Sequence, residues 1–126
     1  LARSRGLGDV YKRQPLTIRM MEKHPLGSQF FMPLDPFDYL VAVAEAKPTV
    51  MPEDVLVFSC SHKQGVNFKP GVWHHPLLVL AEQQDFLVID RAGAGENLVE
   101  QDLASPIMVD LDENNPQGRL EPRPRQ

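Results

Sequence analysis

The 126-residue chain lacks several features that would define a class of protein. Its single cysteine, Cys60, cannot form an internal disulfide, which is the pattern expected in a reducing compartment. No apolar run approaches the roughly eighteen residues of a membrane span. Thirteen basic residues stand against seventeen acidic ones, and the formal charge of −4 argues against binding along a phosphate backbone. We therefore expect a cytoplasmic domain that binds neither membrane nor nucleic acid.

The two ends of the chain differ in composition from its middle. Residues 1–14, LARSRGLGDVYKRQ, lack the apolar stretch of a signal peptide and resemble translated sequencing-adapter sequence, so we expect a non-native leader or scar there. Residues 104–126 are rich in proline and polar residues, which predicts a disordered tail in which only 107–109 could form a short edge strand. One domain, residues 15–103, lies between them.

Short apolar runs separated by glycine or proline fill this domain. They are Gln29–Leu34, Tyr39–Ala44, Val55–Phe58, Leu77–Leu80 and Phe86–Ile89. The last two flank Glu82–Asp85 and are typical of a hairpin. Only Pro52–Asp54 and Glu96–Asp102 suggest helical turns. Short strands at a spacing of about ten residues predict an all-β sandwich or barrel.

Two polar motifs interrupt these apolar runs. The first, MEKHPLGSQFFMPL, carries Glu22, His24 and Gln29, and the second, QGVNFKPGVWHHPL, carries His74 and His75. Glu22 and His24 share one face of a strand because side chains alternate with a period of two. The two motifs can meet only if the sheet folds over on itself. They therefore suggest a Glu–His–Gln–His pocket inside a small β-barrel.

The same alternation separates the neighbouring histidines of the second motif. Val72 and His74 should face one side of the strand, and Trp73 and His75 the other. We expect His74 to be inside the barrel as a ligand or base, and His75 to pack beside Trp73. The competing interpretation is that His24 lies on an exposed polar strand edge and that the histidines are only structural. Cys60, within LVFSC, is expected to be a buried strand residue rather than a nucleophile.

These two motifs, together with DFLVIDRAG (Asp85–Gly93), resemble the ureidoglycolate lyase family in order and spacing, from about Leu16 to Leu103. The resemblance implies a cupin-type jelly roll or β-barrel, usually homodimeric, that splits (S)-ureidoglycolate into glyoxylate and urea during allantoin breakdown. Family members carry some dozens of residues before the segment that starts near Leu16. The resemblance therefore implies a jelly roll without its N-terminal strands.

The resemblance to cupins also implies a set of metal ligands. Their two metal motifs become Glu22-x-His24-x₄-Gln29 and Pro70-Gly71-x-x-His74 in this chain. Glu22 stands where many cupins have histidine, and Gln29 where they have glutamate. Glu22, His24, Gln29 and His74 would hold a divalent nickel, manganese or zinc ion. Without a metal, Glu22 or His74 would serve directly as the base.

Further residues are candidates for binding the substrate. Gln29 could close the metal site or hold the urea group with both ends of its amide. Asn67 points at the substrate or only bonds a turn. Arg91 grips the substrate carboxylate or forms a surface ion pair with Asp90. Lys63 is a second candidate for binding that carboxylate.

Two other functions remain open at this stage. One is another metal-dependent cupin enzyme, such as a sugar-phosphate isomerase or a dioxygenase, although those usually keep a fuller set of histidines. The other is a non-catalytic cupin that binds a small carboxylate without turning it over. Release of urea would distinguish the lyase from both.

Overall fold

The computed structural model describes residues 2–5, 16–110, 119–120 and 122–124. The strands are β1 Ala2–Arg5, β2 Leu16–Lys23, β3 Gln29–Pro33, β4 Tyr39–Ala44, β5 Leu56–Cys60, β6 Val66–Phe68, β7 Trp73–His74, β8 Leu78–Val79, β9 Gln83–Asp90, β10 Val99–Val109, β11 Arg119–Leu120 and β12 Pro122–Pro124. A 3₁₀ turn at Pro52–Asp54 confirms one of the two predicted helical turns.

The described strands form two antiparallel sheets. Sheet A has four strands in the order β1-β9-β3-β6. Sheet B has the order β11-β5-β4-β7-β2-β10-β12, with β8 also paired to β4. The all-β prediction is confirmed, and two antiparallel sheets are consistent with the predicted cupin-type jelly roll.

Strand β4 of sheet B is buried on both faces, which explains why Tyr39–Ala44 is a continuous apolar run. Tyr39 and Val41 belong to a core cluster with Phe68 and Phe86 of sheet A, so this cluster lies between the two sheets. The alternate residues of β4 and Trp73 belong to a second cluster on the other face of sheet B, which we call the outer cluster. The β4 residues in it are Leu40, Ala42 and Ala44. Successive residues of one strand therefore enter two separate cores.

The predicted hairpin between Leu77–Leu80 and Phe86–Ile89 is wrong. Strand β8 pairs with β4 in sheet B, whereas β9 pairs with β1 and β3 in sheet A. Between β8 and β9 the chain therefore passes from one sheet to the other. The turn-forming residues located the reversal of the chain, but they carry no information about which partner each strand pairs with.

Strand β10 begins earlier than the sequence indicated, at Val99, and ends at Val109, the last residue of the predicted short edge strand. Its first residues, 99–102, pair with 20–23 of β2, so the predicted helical turn is wrong there. The predicted domain boundary after residue 103 falls inside this strand. Ile107 and Val109 are buried, because they pack in the outer cluster of sheet B.

Several of the residues assigned to the two chain ends lie outside the described part of the structure. At the C-terminal end these include residues 111–118 of the predicted tail, and at the other end residues 6–14 of the predicted leader. Ala2–Arg5 of that leader pairs with β9 as an edge strand of sheet A. The leader and the tail remain predictions from the sequence. No helix in the described ranges is long and apolar enough to cross a membrane.

Candidate active site

Three of the predicted site residues converge where β2 and β7 pair. Glu22 of β2 lies directly opposite His74 of β7, and His24 follows Glu22 on the same side of the chain. One Glu22 carboxylate oxygen, Oε1, lies 3.9 Å from His24 Nε2 and 3.9 Å from His74 Nδ1. The three side chains offer ligand atoms that all lie within 4.8 Å of one another, so they could hold a metal ion.

The orientation of the His24 ring is fixed by the loop after β9. Its Nδ1 lies 2.7 Å from the carbonyl oxygen of Asn97. A carbonyl only accepts hydrogen bonds, so in the neutral ring Nδ1 carries the proton and Nε2 keeps its lone pair. Among the described residues, His24 Nε2 has no hydrogen-bond partner, although it is buried. The Asn97 side chain also accepts the backbone N–H of Leu26 at 2.8 Å, which ties the two loops together.

His74 is the most buried member of the cluster. It is 1% exposed, and its ring stacks on Phe68 with 4.2 Å between ring centroids. Burial, and secondarily the charge of His24, lower the pKa of His74 to about 4. The ring is therefore neutral at pH 7, and neither of its nitrogens has a hydrogen-bond partner within the described ranges. A neutral, buried imidazole with a free lone pair is suited to binding a metal or accepting a proton.

Glu22 has the electrostatic properties of a base. Burial raises the pKa of its carboxyl group, His24 opposes that effect, and Glu100 adds to it. A carboxylate with a raised pKa holds a proton more strongly than a carboxylate in water, so it is a better general base near neutral pH. A divalent cation at the same position would satisfy this carboxylate and the free nitrogens of the two histidines.

Gln29 lies on the facing sheet, beside the ring that stacks on His74. It pairs directly with Phe68 of β6, so the two side chains share the inner face of sheet A. Gln29 Nε2 donates to Asp90 Oδ2 at 3.1 Å, while Oε1 is buried and accepts no hydrogen bond from the described residues. The amide therefore offers one free acceptor, and one of its two N–H donors is already used.

Asn67 and Arg91 lie on the outer face of sheet A. Asn67 pairs directly with Phe30, which in turn pairs with Ile89, and these side chains alternate with Gln29 and its neighbours on the inner face. With Arg91 they line a groove of about 580 Å³. Asn67 and Arg91 are thus brought together, but on the opposite side of the sheet from the histidine cluster.

The Arg91 side chain has a local partner in this groove. Its guanidinium donates to the carbonyl of Ala94 at 2.8 Å. In the part of the chain that the structure describes, its side chain forms no ion pair with Asp90, whose Oδ1 instead accepts the backbone N–H of Arg91 at 2.8 Å. A Cβ at Gly27 would lie 2.7 Å from Arg91 Cβ, so glycine permits this close approach.

Lys63 lies near the opposite end of β4 from the cluster. It lines a separate pocket with His62 and Asp38, next to the first residue of β4, Tyr39. His74 pairs with Val43 near the last residue of the same strand. Four residues of extended chain correspond to about 13 Å, so the structure does not bring Lys63 to the cluster.

Trp73 and His74 enter different cores, as the alternation predicted. Trp73 packs in the outer cluster and donates from Nε1 to the Lys47 carbonyl at 2.9 Å, whereas His74 stacks on Phe68 between the sheets. The His75 ring contacts the carbonyl of Pro76 through Nδ1 at 2.8 Å. Burial lowers the pKa of His75 as well, but its ring has a local partner, unlike that of His74.

Three residues that shape the cluster were not identified from the sequence. Phe68 stacks on His74, Asp90 holds the Gln29 amide, and Asn97 holds His24. The position of Asp90 at the end of an apolar run indicated a polar residue at the edge of the sheet, although it suggested only a surface ion pair. Asn97 gave none, because it holds the imidazole through a backbone carbonyl that every residue type has.

Comparison with known proteins identifies the family of the chain. The family model described as ureidoglycolate lyase matches residues 8–110. The chain belongs to the ureidoglycolate lyase family. Proteins named ureidoglycolate lyase from Azotobacter vinelandii and Stutzerimonas stutzeri are 55% and 49% identical to it over 86 residues, or 68% of this chain. One of the same name from Burkholderia mallei is 44% identical over 109 residues, or 83% of this chain.

The aligned part is only a portion of each of these family members. It amounts to 52% of the Azotobacter protein, 51% of the Stutzerimonas protein and 64% of the Burkholderia protein. The chain therefore spans about half to two thirds of the length of the curated relatives it matches. All three converging site residues, Glu22, His24 and His74, lie within the range that the family model matches.

Proposed function

We propose that this protein is a lyase that splits (S)-ureidoglycolate into glyoxylate and urea. The observation that carries the proposal is the convergence of Glu22, His24 and His74, with three buried imidazole nitrogens that have no hydrogen-bond partner among the described residues. The names of the relatives support the choice of substrate.

The substrate requires one proton to be removed and one to be supplied. Its central carbon carries a hydroxyl group, a carboxylate and the urea nitrogen. Glu22 takes the hydroxyl proton, the oxygen electron pair forms the new carbonyl of glyoxylate, and the carbon–nitrogen bond breaks. The departing nitrogen receives a proton and becomes urea, so the reaction needs no net proton. In a metal-free enzyme, neutral His74 is the alternative base.

The same residues fit a divalent metal ion. Among the described residues, His24 Nε2 and the His74 nitrogens are buried without partners, which is the condition that a ligand would relieve. Glu22, His24 and His74 would hold the ion, and this mixture of oxygen and imidazole ligands suits nickel, manganese or zinc. A bound ion would make the substrate hydroxyl more acidic and stabilise the developing charge.

The test is release of urea and glyoxylate from (S)-ureidoglycolate, with and without a chelator. Release that the chelator abolishes supports a metal-dependent lyase, and release that survives assigns the chemistry to Glu22 and His74 alone. A folded chain that binds glyoxylate without releasing urea would contradict the lyase and support the non-catalytic carboxylate-binding cupin.

Calorimetric titration with nickel, manganese and zinc tests the metal separately. His24→Ala should lower the affinity at least about tenfold. His62→Ala is the matched control, because that histidine pairs with Asp38 away from the cluster. Equal affinities in the two variants would contradict the proposed ligand set.

We also propose that the protein is a cytoplasmic homodimer. The family resemblance supports the homodimer, and the single free Cys60 is compatible with a reducing compartment. Light scattering on the purified chain would test the dimer, and a mass corresponding to one chain would contradict it.

A further inference from the structure

The amide of Gln29 has a single defined orientation. Asp90 is the cause, because its Oδ2 accepts a hydrogen bond from Gln29 Nε2 and so the NH₂ group of the amide faces Asp90. The other Asp90 oxygen, Oδ1, accepts the backbone N–H of Arg91, which fixes the carboxylate in turn. Gln29 Oε1 therefore points away from Asp90.

This oxygen is a buried acceptor without a partner. Gln29 is 9% exposed, and no described group donates to Oε1. Leaving a buried acceptor unpaired is unfavourable, and a bound ligand that donates to it would remove that cost. Gln29 shares the inner face of sheet A with Phe68, whose ring stacks on His74. Through Phe68, Gln29 is thus next to the residue of sheet A that contacts the Glu22–His24–His74 cluster.

We propose that Gln29 Oε1 accepts a hydrogen bond from an N–H of the ureido group of the substrate, and that Asp90 is a positioning residue that sets this orientation. The inference rests on the proposed lyase function and adds a determinant of specificity to it. The ureido end of the substrate lies against sheet A, and the hydroxyl lies towards Glu22 on sheet B.

The orientation should also favour the substrate over one of its two products, glyoxylate. A ureido group presents N–H donors to Oε1, whereas glyoxylate in its carbonyl form has oxygen acceptors and no N–H or O–H donor. An oxygen facing an oxygen is repelled, so the site as built favours the nitrogen-bearing molecule. Glyoxylate would then be released more readily once the urea has departed.

Asp90→Asn tests this directly because it should reverse the Gln29 amide. If the new side-chain amide keeps accepting the Arg91 N–H through its oxygen, its NH₂ group faces Gln29. The Gln29 amide must then turn its own oxygen towards that NH₂ group and present a donor to the site. We expect KM for ureidoglycolate to rise about tenfold and the inhibition constant for glyoxylate to fall.

The paired variant Gln29→Glu with Asp90→Asn should restore the original pattern. The amide introduced at position 90 donates to one oxygen of the carboxylate introduced at position 29, and the other oxygen again accepts from the substrate. We expect KM to return to within about threefold of the parent value. Gln29→Glu alone places two carboxylates together and should raise KM.

The matched control is Asp85→Asn in the same strand, β9. Asp85 binds Arg3 of the edge strand β1 rather than Gln29, so its replacement leaves the Gln29 amide in place. We expect this variant to change neither KM for ureidoglycolate nor the inhibition constant for glyoxylate.

Three results would overturn the proposal. One is that Asp90→Asn weakens the binding of ureidoglycolate and glyoxylate by the same factor, which is the sign of a merely structural role. Another is that the KM of the paired variant for ureidoglycolate is no lower than the KM of either single variant. The last is that Gln29→Leu lowers the affinity for nickel by about tenfold or more, which would make Gln29 a metal ligand.

Calorimetric binding of glyoxylate keeps the inference separate from the lyase activity. If the parent chain releases no urea, the proposed function fails, but the amide orientation can still be measured. Asp90→Asn must then bind glyoxylate more tightly than the parent chain does. Equal or weaker binding overturns the inference whatever the activity.

Discussion

The imidazole of His74 lies flat against the ring of Phe68, with 4.2 Å between the centroids and 4° between the planes. His74 belongs to sheet B and Phe68 to sheet A, so this stack is a direct contact between the sheets. It also fixes the ring that faces Glu22 and His24. The stack thereby joins the packing of the core to the geometry of the candidate site.

The first prediction separates the two neighbouring histidines. His74→Ala should abolish urea release, because it removes the buried imidazole of the cluster with Glu22 and His24. His75→Ala should remain partly active, since the side chain of His75 contacts the carbonyl of Pro76 rather than the cluster. Steady-state kinetics on both variants provides the measurement. Should His75→Ala prove the more damaging, the assignment of strand faces to function is incorrect.

The second prediction concerns stability against pH. Burial lowers the pKa of folded His74 to about 4, whereas the unfolded value is near 6.5. The unfolded chain therefore binds the extra proton between these values, and the free energy of unfolding decreases as the pH falls through that window. The full loss is on the order of 3 kcal/mol. Denaturant unfolding between about pH 7.5 and 4.5, with chelator present, would measure it.

A variant comparison identifies the group responsible for this pH dependence. His74→Gln should flatten the dependence. Burial also lowers the pKa of His75, which acts in the same direction as His74, whereas the raised pKa of Glu22 acts in the opposite direction. His62→Gln alters a partly exposed side chain and serves as the control. An unchanged slope in His74→Gln would mean that His74 does not titrate in this range.

The third prediction tests Arg91, for which the sequence and the observed placement lead to different expectations. A bidentate contact with the substrate carboxylate would make Arg91→Lys raise KM without much change in kcat. The guanidinium instead donates to Ala94 in the groove on the outer face of sheet A. We therefore expect KM to stay within about twofold. A large rise in KM at constant kcat would restore the carboxylate role.

The fourth prediction concerns the end of the folded domain. Ile107 is 1% exposed in the outer cluster of sheet B, beyond the boundary expected from the sequence. Ile107→Ala should lower the free energy of unfolding by about 2–5 kcal/mol. The neighbouring half-buried Met108 is the matched position, and Met108→Ala should cost less. A loss below about 0.5 kcal/mol at Ile107 would place the end of the core before this residue.

The local pattern of residues was sufficient to predict a large part of the fold. The continuous apolar run from Tyr39 to Ala44 predicted β4 with its observed bounds, because a strand buried on both faces needs no polar alternation. The period of two separated Trp73 from His74. The prediction of a hairpin was wrong because local pattern does not specify strand pairing. The sequences of β8 and β9 are typical of paired strands, yet their partners belong to different sheets.

By itself, the sequence determined the strand character, the facing of side chains along each strand, and the two motifs that carry Glu22, His24 and His74. Steric preference and alternation act between near neighbours, so they can be recognised from the order of residues. Tertiary structure alone decided that Phe68 stacks on His74, that Asp90 orients Gln29, and that Arg91 lies on the outer face. These contacts join residues that are distant in the chain. They depend on strand pairing and sheet packing, which no local pattern specifies.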